Sequence, residues 1–228
     1  MSIIQISDLH KVYDETKVPV YALNGVDLTI EEGEFTAIVG PSGSGKTTLL
    51  NMIGGLDKPT KGEVVIDGTK VGSLKPRKLI DFRLHNIGFV FQAYNLIPVL
   101  TAIENVAFIM QLQGQSKDKR HRRAMELLEA VGIGDKADQR PGNLSGGQQQ
   151  RVAVARALAS EPKFILADEP TANLDSTSTN ELLDIMLRMK EESNITFLFS
   201  THDKRVMDKA KRIVTIDDGK VASDERIQ

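Results

Sequence analysis

Phe35-Thr36-Ala37-Ile38-Val39 runs without a spacer into Gly40-Pro41-Ser42-Gly43-Ser44-Gly45-Lys46-Thr47, and the segment from Lys46 to Ile53 then ends at Gly54-Gly55. This order reads as a short apolar strand, a glycine-rich turn and a helix stopped by glycine. The eight central residues satisfy the phosphate-binding pattern G-x-x-x-x-G-K-[ST] in the strand-to-helix setting that the pattern requires. Glycines let the backbone wrap a polyphosphate, the loop N–H groups point inward, and the helix N-terminus adds partial positive charge. Lys46 is placed to reach the β- and γ-phosphates and Thr47 to ligate magnesium, with Thr48 next in the helix. The segment Gly40 to Thr48 therefore predicts a site for a polyphosphate with Mg2+.

Outward from that loop, Phe164-Ile165-Leu166-Ala167 and Thr196-Phe197-Leu198-Phe199 are apolar runs suited to strands covered on both faces. Between them Leu182, Leu183, Ile185, Met186 and Met189 recur at helical spacing, so strand, helix and strand predict an α/β core with a mostly parallel sheet. Asp168 and Glu169 stand where the first run ends, the edge at which such sheets bind ligands. Asp168 is the metal-side acid, and Glu169 is placed to act on the water that attacks the γ-phosphate. A strand at Gly62 to Gly68 could form a small antiparallel sheet with the N-terminal segment. Residues 95–160 read as an inserted helical lobe with an apolar stripe of Ala124, Leu127, Leu128 and Val131. Asp217-Asp218-Gly219-Lys220 reads as a hairpin turn. One domain over 1–228 is expected, with its core at 1–94 and 161–228.

Composition narrows the function classes. A length of 228 residues allows one substantial core with an inserted lobe. A net charge of -2 offers no broad basic field, so nucleic acid is not an expected partner. The absence of cysteine removes disulfides, thiolate zinc sites and cysteine nucleophiles, and fits a reducing compartment. No export signal is visible at the N-terminus and no window reaches the apolar length of a membrane helix, so a membrane role has to come through a partner. The basic run Lys117 to Arg123 reads as a solvated face, with anionic lipid or a partner as the alternative.

Leu144-Ser145-Gly146-Gly147-Gln148 resembles the signature of ATP-binding cassette (ABC) proteins. Locally, Ser145 three residues before Gln148 makes a capping box, and a capped helix N-terminus with two glycines is itself an anion site. The resemblance covers essentially the whole chain, and it implies a head-to-tail pair of cassettes in which Ser145, Gly146, Gly147 and Gln148 contact the nucleotide of the opposite copy. It also implies that Tyr13 stacks on adenine, that Gln92 senses magnesium and the γ-phosphate, and that Asp175 belongs to a loop crossing the dimer seam. His202, after Ser200-Thr201, matches the histidine that contacts the γ-phosphate, whereas His10, His85 and His121 have no such placement. Catalysis would then rest on Glu169, His202, Gln92 and Lys46, and the metal on Thr47, Gln92 and Asp168.

Within that family, Val18 to Leu23, Gly54 to Thr60 and Phe91 to Pro98 resemble most the subgroup of lipoprotein-releasing and macrolide-export ATPases. The resemblance implies an ATPase subunit, peripheral at the cytoplasmic face of the cell membrane, working with a second copy and an integral membrane permease. The macrolide type carries a fused membrane segment after the cassette; with Gln228 as the last residue given, a separate permease is expected unless the chain is a piece of a longer one. The competing reading is a cassette acting on nucleic acid or ribosomes, which would call for a long coiled-coil insertion, tandem cassettes or cysteine-rich zinc modules, none of which the sequence contains.

Overall fold

Apolar residues alternate along the two N-terminal strands, so each buries one face. In the computed structural model, which describes residues 1–14 and 18–227, β1 (Ser2–Tyr13) buries Ile4, Ile6 and Leu9, while β2 (Val20–Glu31) buries Val26, Leu28 and Ile30. They pair antiparallel, and β1 takes a second antiparallel partner in β4 (Lys61–Ile66). With β5 (Thr69–Lys70) the sheet order is β2-β1-β4-β5, which is the small antiparallel sheet expected from Gly62 to Gly68.

The chain divides into two compact units, Met1–Asp81 with Thr196–Gln228, and Phe82–Ile195; the division falls inside α2 (Pro76–Asn86). In the first unit β3 (Phe35–Val39) is buried along its whole length. It pairs in parallel with β8 (Thr196–Ser200) on one side and β9 (Arg212–Asp217) on the other. A strand covered on both faces has no polar side to present, and this explains the uninterrupted apolar runs. Phe35 sits with its ring centroid 4.5 Å from Phe199 and 5.7 Å from Phe197. Helix α1 (Lys46–Ile53) packs on β2 and β8 with Leu49 and Ile53 fully buried. The hairpin at Asp218-Gly219 leads into β10 (Lys220–Arg226), antiparallel to β9.

In the second unit β6 (Ile87–Phe91) and β7 (Phe164–Asp168) form a parallel pair. Between them in sequence lie α3 (Ala102–Leu112), α4 (Lys117–Ala130) and α5 (Gly146–Ala159), which pack on one another. The α4 stripe of Ala124, Leu127, Leu128 and Val131 is buried as its spacing demands. Asn105 is the polar centre of this lobe: fully buried, its side chain accepts from Ile97 N–H and donates to the carbonyls of Ile97, Leu100 and Thr101. After β7 come α6 (Ser176–Ser193) and, back in the first unit, the short α7 (Lys204–Lys209). The protein is thus α/β, with a mostly parallel set of strands, an antiparallel N-terminal sheet and an inserted helical segment. Among the described residues no helix is long and apolar enough to cross a membrane.

Arg212 ties the first unit together. Its guanidinium, 6 % exposed, donates to both Asp224 oxygens at 2.7 Å, to Glu34 at 2.8 Å and to the Thr29 carbonyl at 2.8 Å. Hydrogen bonding from Arg212 is the main cause that holds the Asp224 carboxyl below its ordinary range, against the opposing effect of burial. Because that folded value is depressed, the stabilisation is fully present above the unfolded value of about 4 and is lost as pH falls through the folded one. Arg212→Met is expected to lower the unfolding free energy at pH 7 by about 1–2 kcal/mol: Glu34, 15% exposed, loses its main partner, whereas Asp224, 38% exposed, is largely screened by solvent. Urea unfolding at pH 7 and in acid should show that the deficit narrows as the acids protonate.

Candidate functional site

Close backbone contacts seat the phosphate loop. Val39, the last residue of β3, pairs in register with Thr215 of β9, and the chain then turns at Gly40. A Cβ on Gly40 would lie 2.0 Å from the Ile216 carbonyl oxygen, and one on Gly45 would lie 2.3 Å from the Ala22 carbonyl oxygen. Both residues also have positive φ, 147° and 105°, so only glycine serves at either place. The Gly219 N–H donates to the Ser44 carbonyl at 3.0 Å, which fastens the loop to the β9–β10 turn.

At the start of α1, Gly45 is a left-handed N-cap with no side-chain cap, and the first turn carries no acid. The initial N–H groups and the positive end of the helix dipole therefore meet no competing side-chain cap. Lys46 is only 8 % exposed, and its Nζ donates to the carbonyls of Gly40 and Pro41 at 2.9 Å each. The ammonium is thus folded back over the loop it would serve. Ser44 Oγ is buried with no hydrogen-bond partner among the described residues, and Thr47 is exposed at the helix start. A backbone cradle that excludes Cβ atoms, an uncapped helix N-terminus, a lysine in the loop and an unsatisfied hydroxyl fit a polyphosphate; the exposed Thr47 hydroxyl suits a hard cation such as magnesium.

Two further predicted residues belong to the same unit. His202 is exposed just past β8, and the Thr201 N–H donates to the Ile38 carbonyl at 3.0 Å, so the histidine leaves the same sheet edge as the phosphate loop. Tyr13 ends β1, with its hydroxyl donating to Asp57 Oδ2 at 2.9 Å. Burial is the main cause that raises the phenol above its ordinary value, and the neighbouring Asp57 adds to it.

The second unit carries the remaining candidates. Phe91 pairs with Asp168, so Gln92 and Glu169 are the first residues beyond two adjacent parallel strands. Glu169 takes a left-handed φ of 46°, an unfavourable conformation for a residue with a side chain. Ser145 caps α5: its Oγ accepts from the Gln148 N–H at 3.3 Å and Gln148 Oε1 accepts from the Ser145 N–H at 2.9 Å. This capping box uses a lone pair of the exposed hydroxyl and leaves its proton to be donated elsewhere. Asp175 caps α6, its carboxylate accepting from the Ser178 N–H at 3.0 Å. The loops meet within the unit. Asn173 Nδ2 donates to the Gln92 carbonyl at 3.1 Å, and a Cβ on Gly146 would come 2.9 Å from Tyr94 Oη.

The structure adds residues that the sequence did not single out. Arg156, on α5, donates to the Tyr94 carbonyl at 2.8 Å and to that of Asn95, where both residues have left-handed φ. Burial holds its guanidinium below the ordinary value. Gln150, fully buried, donates to the Pro170 carbonyl at 2.7 Å, directly after Glu169. Each joins the helix opened by Ser145 to a loop carrying a candidate residue. The only local hint of either was a polar residue on an otherwise apolar helix face.

Comparison with known proteins bears on the family and the fold. The family profile described as ABC transporter matches residues 23–172. An uncharacterized ABC transporter ATP-binding protein of Thermotoga maritima is 50% identical over 98% of this chain and 95% of its own length. The macrolide export ATP-binding/permease protein MacB of Hyphomonas neptunium is 47% identical over 97% of the chain, which spans 34% of that longer protein. The dimeric post-hydrolysis structure of the ATP-binding cassette MJ0796 bound to ADP and Pi superposes with a TM-score of 0.92 at 44% identity, covering 99% of both chains.

Arg156→Ala removes the donor that restrains the loop after Gln92. Hydrogen exchange of the amides at 92–97 is expected to speed up about tenfold, as for loss of a charged hydrogen-bond donor, with the α6 amides unchanged.

Proposed function

Because the chain belongs to the ABC transporter family, whose members pair nucleotide-binding cassettes with membrane partners, we propose that this ATP-binding protein hydrolyses ATP to drive a separate membrane permease. The observation that carries the reading is the backbone-built phosphate loop, with Lys46 folded over it at the N-terminus of an uncapped helix. In this reading Gly40 to Gly45 and Thr48 bind the phosphates through loop and helix-start groups, Lys46 neutralises the β- and γ-phosphates, and Tyr13 receives the adenine. Thr47, Gln92 and Asp168 would hold magnesium. The metal, when bound, offsets phosphate charge that the protein would otherwise have to neutralise alone.

Hydrolysis is assigned to the side chains at the strand ends. Glu169 takes the proton of the attacking water, His202 orients that water toward the γ-phosphorus, and Gln92 monitors the same phosphate. Ser145, with Gly146, Gly147 and Gln148, donates to the nucleotide of a second copy, and Asp175 lies along the seam. ATP then favours the closed pair because only that state contacts it from both sides, and its conversion to ADP and phosphate reopens the pair. A single cassette domain with the helical insertion at 95–160 suits this task, the insertion serving as the permease-facing part. The relatives that join a cassette to a permease in one chain support membrane coupling over action on nucleic acid. A peripheral position at the cytoplasmic face of the cell membrane follows.

Glu169→Gln is expected to keep ATP affinity and to slow turnover by roughly 10²–10⁴, the range for loss of a general base. Near-normal phosphate release by that variant would remove Glu169 from its role. Lys46→Ala is expected to weaken nucleotide binding itself, and an unchanged dissociation constant in calorimetry would contradict the phosphate assignment.

A further inference from the structure

Lys11 and Tyr13 at the end of β1 and Asp57 in the turn after α1 form a closed cluster in which the lysine also lies over the tyrosine ring. Tyr13 Oη donates to Asp57 Oδ2 at 2.9 Å, and Lys11 Nζ donates to Asp57 Oδ1 at 2.9 Å and to the Lys58 carbonyl at 2.9 Å. The same ammonium lies 4.6 Å from the centroid of the Tyr13 ring, so one face of the ring is covered by a cation. We propose that Asp57 and Lys11 are positioning residues that fix the plane of Tyr13 and leave its opposite face for a purine base. This rests on the reading of Tyr13 as the base-receiving aromatic.

Two features make the cluster more than a surface ion pair. The Lys11 side chain is only 12% exposed, and a lysine so enclosed loses its freedom to leave the ring. Burial acts to raise the Asp57 carboxyl, but Lys11, the Lys58 N–H and the Tyr13 hydroxyl together outweigh it and hold the group below its ordinary range. An ionised acceptor makes the Tyr13 hydroxyl contact a hydrogen bond to a charged group, which restrains rotation and tilt of the ring.

The anchor points explain why ring position matters for the nucleotide. Asp57 lies four residues beyond the end of α1, and the Thr48 hydroxyl in the first turn of that helix also acts on the Tyr13 phenol. The aromatic is therefore referenced to the helix whose N-terminus bears the phosphate loop. The Thr60 hydroxyl accepts from the Val12 N–H at 3.0 Å, and the Thr60 N–H donates to the His10 carbonyl at 2.8 Å, so the end of β1 is stitched to the same turn. With ring and loop fixed to one rigid element, the distance from base to phosphates is set before the ligand arrives, and little ordering cost remains. The cation adds an electronic effect: it draws on the negative face it covers, so the open face repels a π-rich base less.

The test is calorimetric titration with two probes, a non-hydrolysable ATP analogue and inorganic tripolyphosphate, each with magnesium. Asp57→Ala and Lys11→Met are expected to weaken the ATP analogue about five- to tenfold, part of the worth of one base–aromatic stack. Tripolyphosphate should stay within about twofold, the scatter expected of an uncoupled site. Lys11→Arg should restore most of the loss, and Tyr13→Phe combined with Asp57→Ala should be no weaker than Asp57→Ala alone. Equal weakening of both probes would overturn the proposal, because it would mean a general disturbance of the unit. So would wild-type affinity for the analogue in Asp57→Ala and Lys11→Met while Tyr13→Ala loses it. If Tyr13→Ala itself binds the analogue normally, the base-receiving reading fails first and the proposal with it. Should Asp57→Ala not fold, Lys11→Met and Tyr13→Phe carry the same comparison.

Discussion

The contact on which the proposed chemistry depends is the seating of Gly40 against the Ile216 carbonyl at the end of β9. That approach leaves no room for a side chain, and the Gly219 N–H to Ser44 carbonyl bond pins the other shoulder of the loop. Both are backbone interactions, insensitive to rotamer changes; one comes from the end of β9, which pairs with β3, and the other from the β9–β10 turn. The loop thus inherits the stiffness of the sheet. A cradle of N–H groups can bind a polyphosphate without reorganisation only if its curvature is set in advance. Lys46, held by two loop carbonyls, shows that curvature already in place.

The second unit solves a related problem by different means. Its candidate residues stand on loops, and what restrains them is a set of side-chain to backbone bonds radiating from α5: Arg156 to the loop after Gln92, and Gln150 to Pro170 after Glu169. Ser145 opens that helix. A change in the contacts of Ser145 therefore has a short physical route to both the Gln92 and the Glu169 loops. The left-handed conformations of Tyr94, Asn95 and Glu169 are the cost of this arrangement, tolerated because the surrounding bonds overdetermine them.

Much of the fold was legible because it repeats locally. The phosphate loop predicted β3 and α1 at their observed places, the apolar runs at Phe164 and Thr196 became buried strands, and the Ser145–Gln148 spacing became a capping box. Illegible were the contacts that join residues far apart in the chain. Arg212 meets Glu34 and Asp224, Arg156 meets Tyr94 and Asn95, and Asp57 meets Lys11 and Tyr13. No periodicity marks such residues, since each looks like an ordinary surface charge until the fold brings its partner. Asp175 shows the converse: its motif reading and its plain helix-capping role coexist in one side chain.

The central claim is that one triphosphate is shared by the Lys46 loop of one copy and the Ser145 turn of another. Sedimentation of the Glu169→Gln protein with saturating ATP and magnesium tests it most directly. The expected result is a species of twice the mass of one chain that appears only with ATP and is abolished by adding either Lys46→Ala or Ser145→Arg. A chain that stays monomeric at high concentration with ATP bound, or a dimer that persists without nucleotide and with Ser145→Arg, would contradict it.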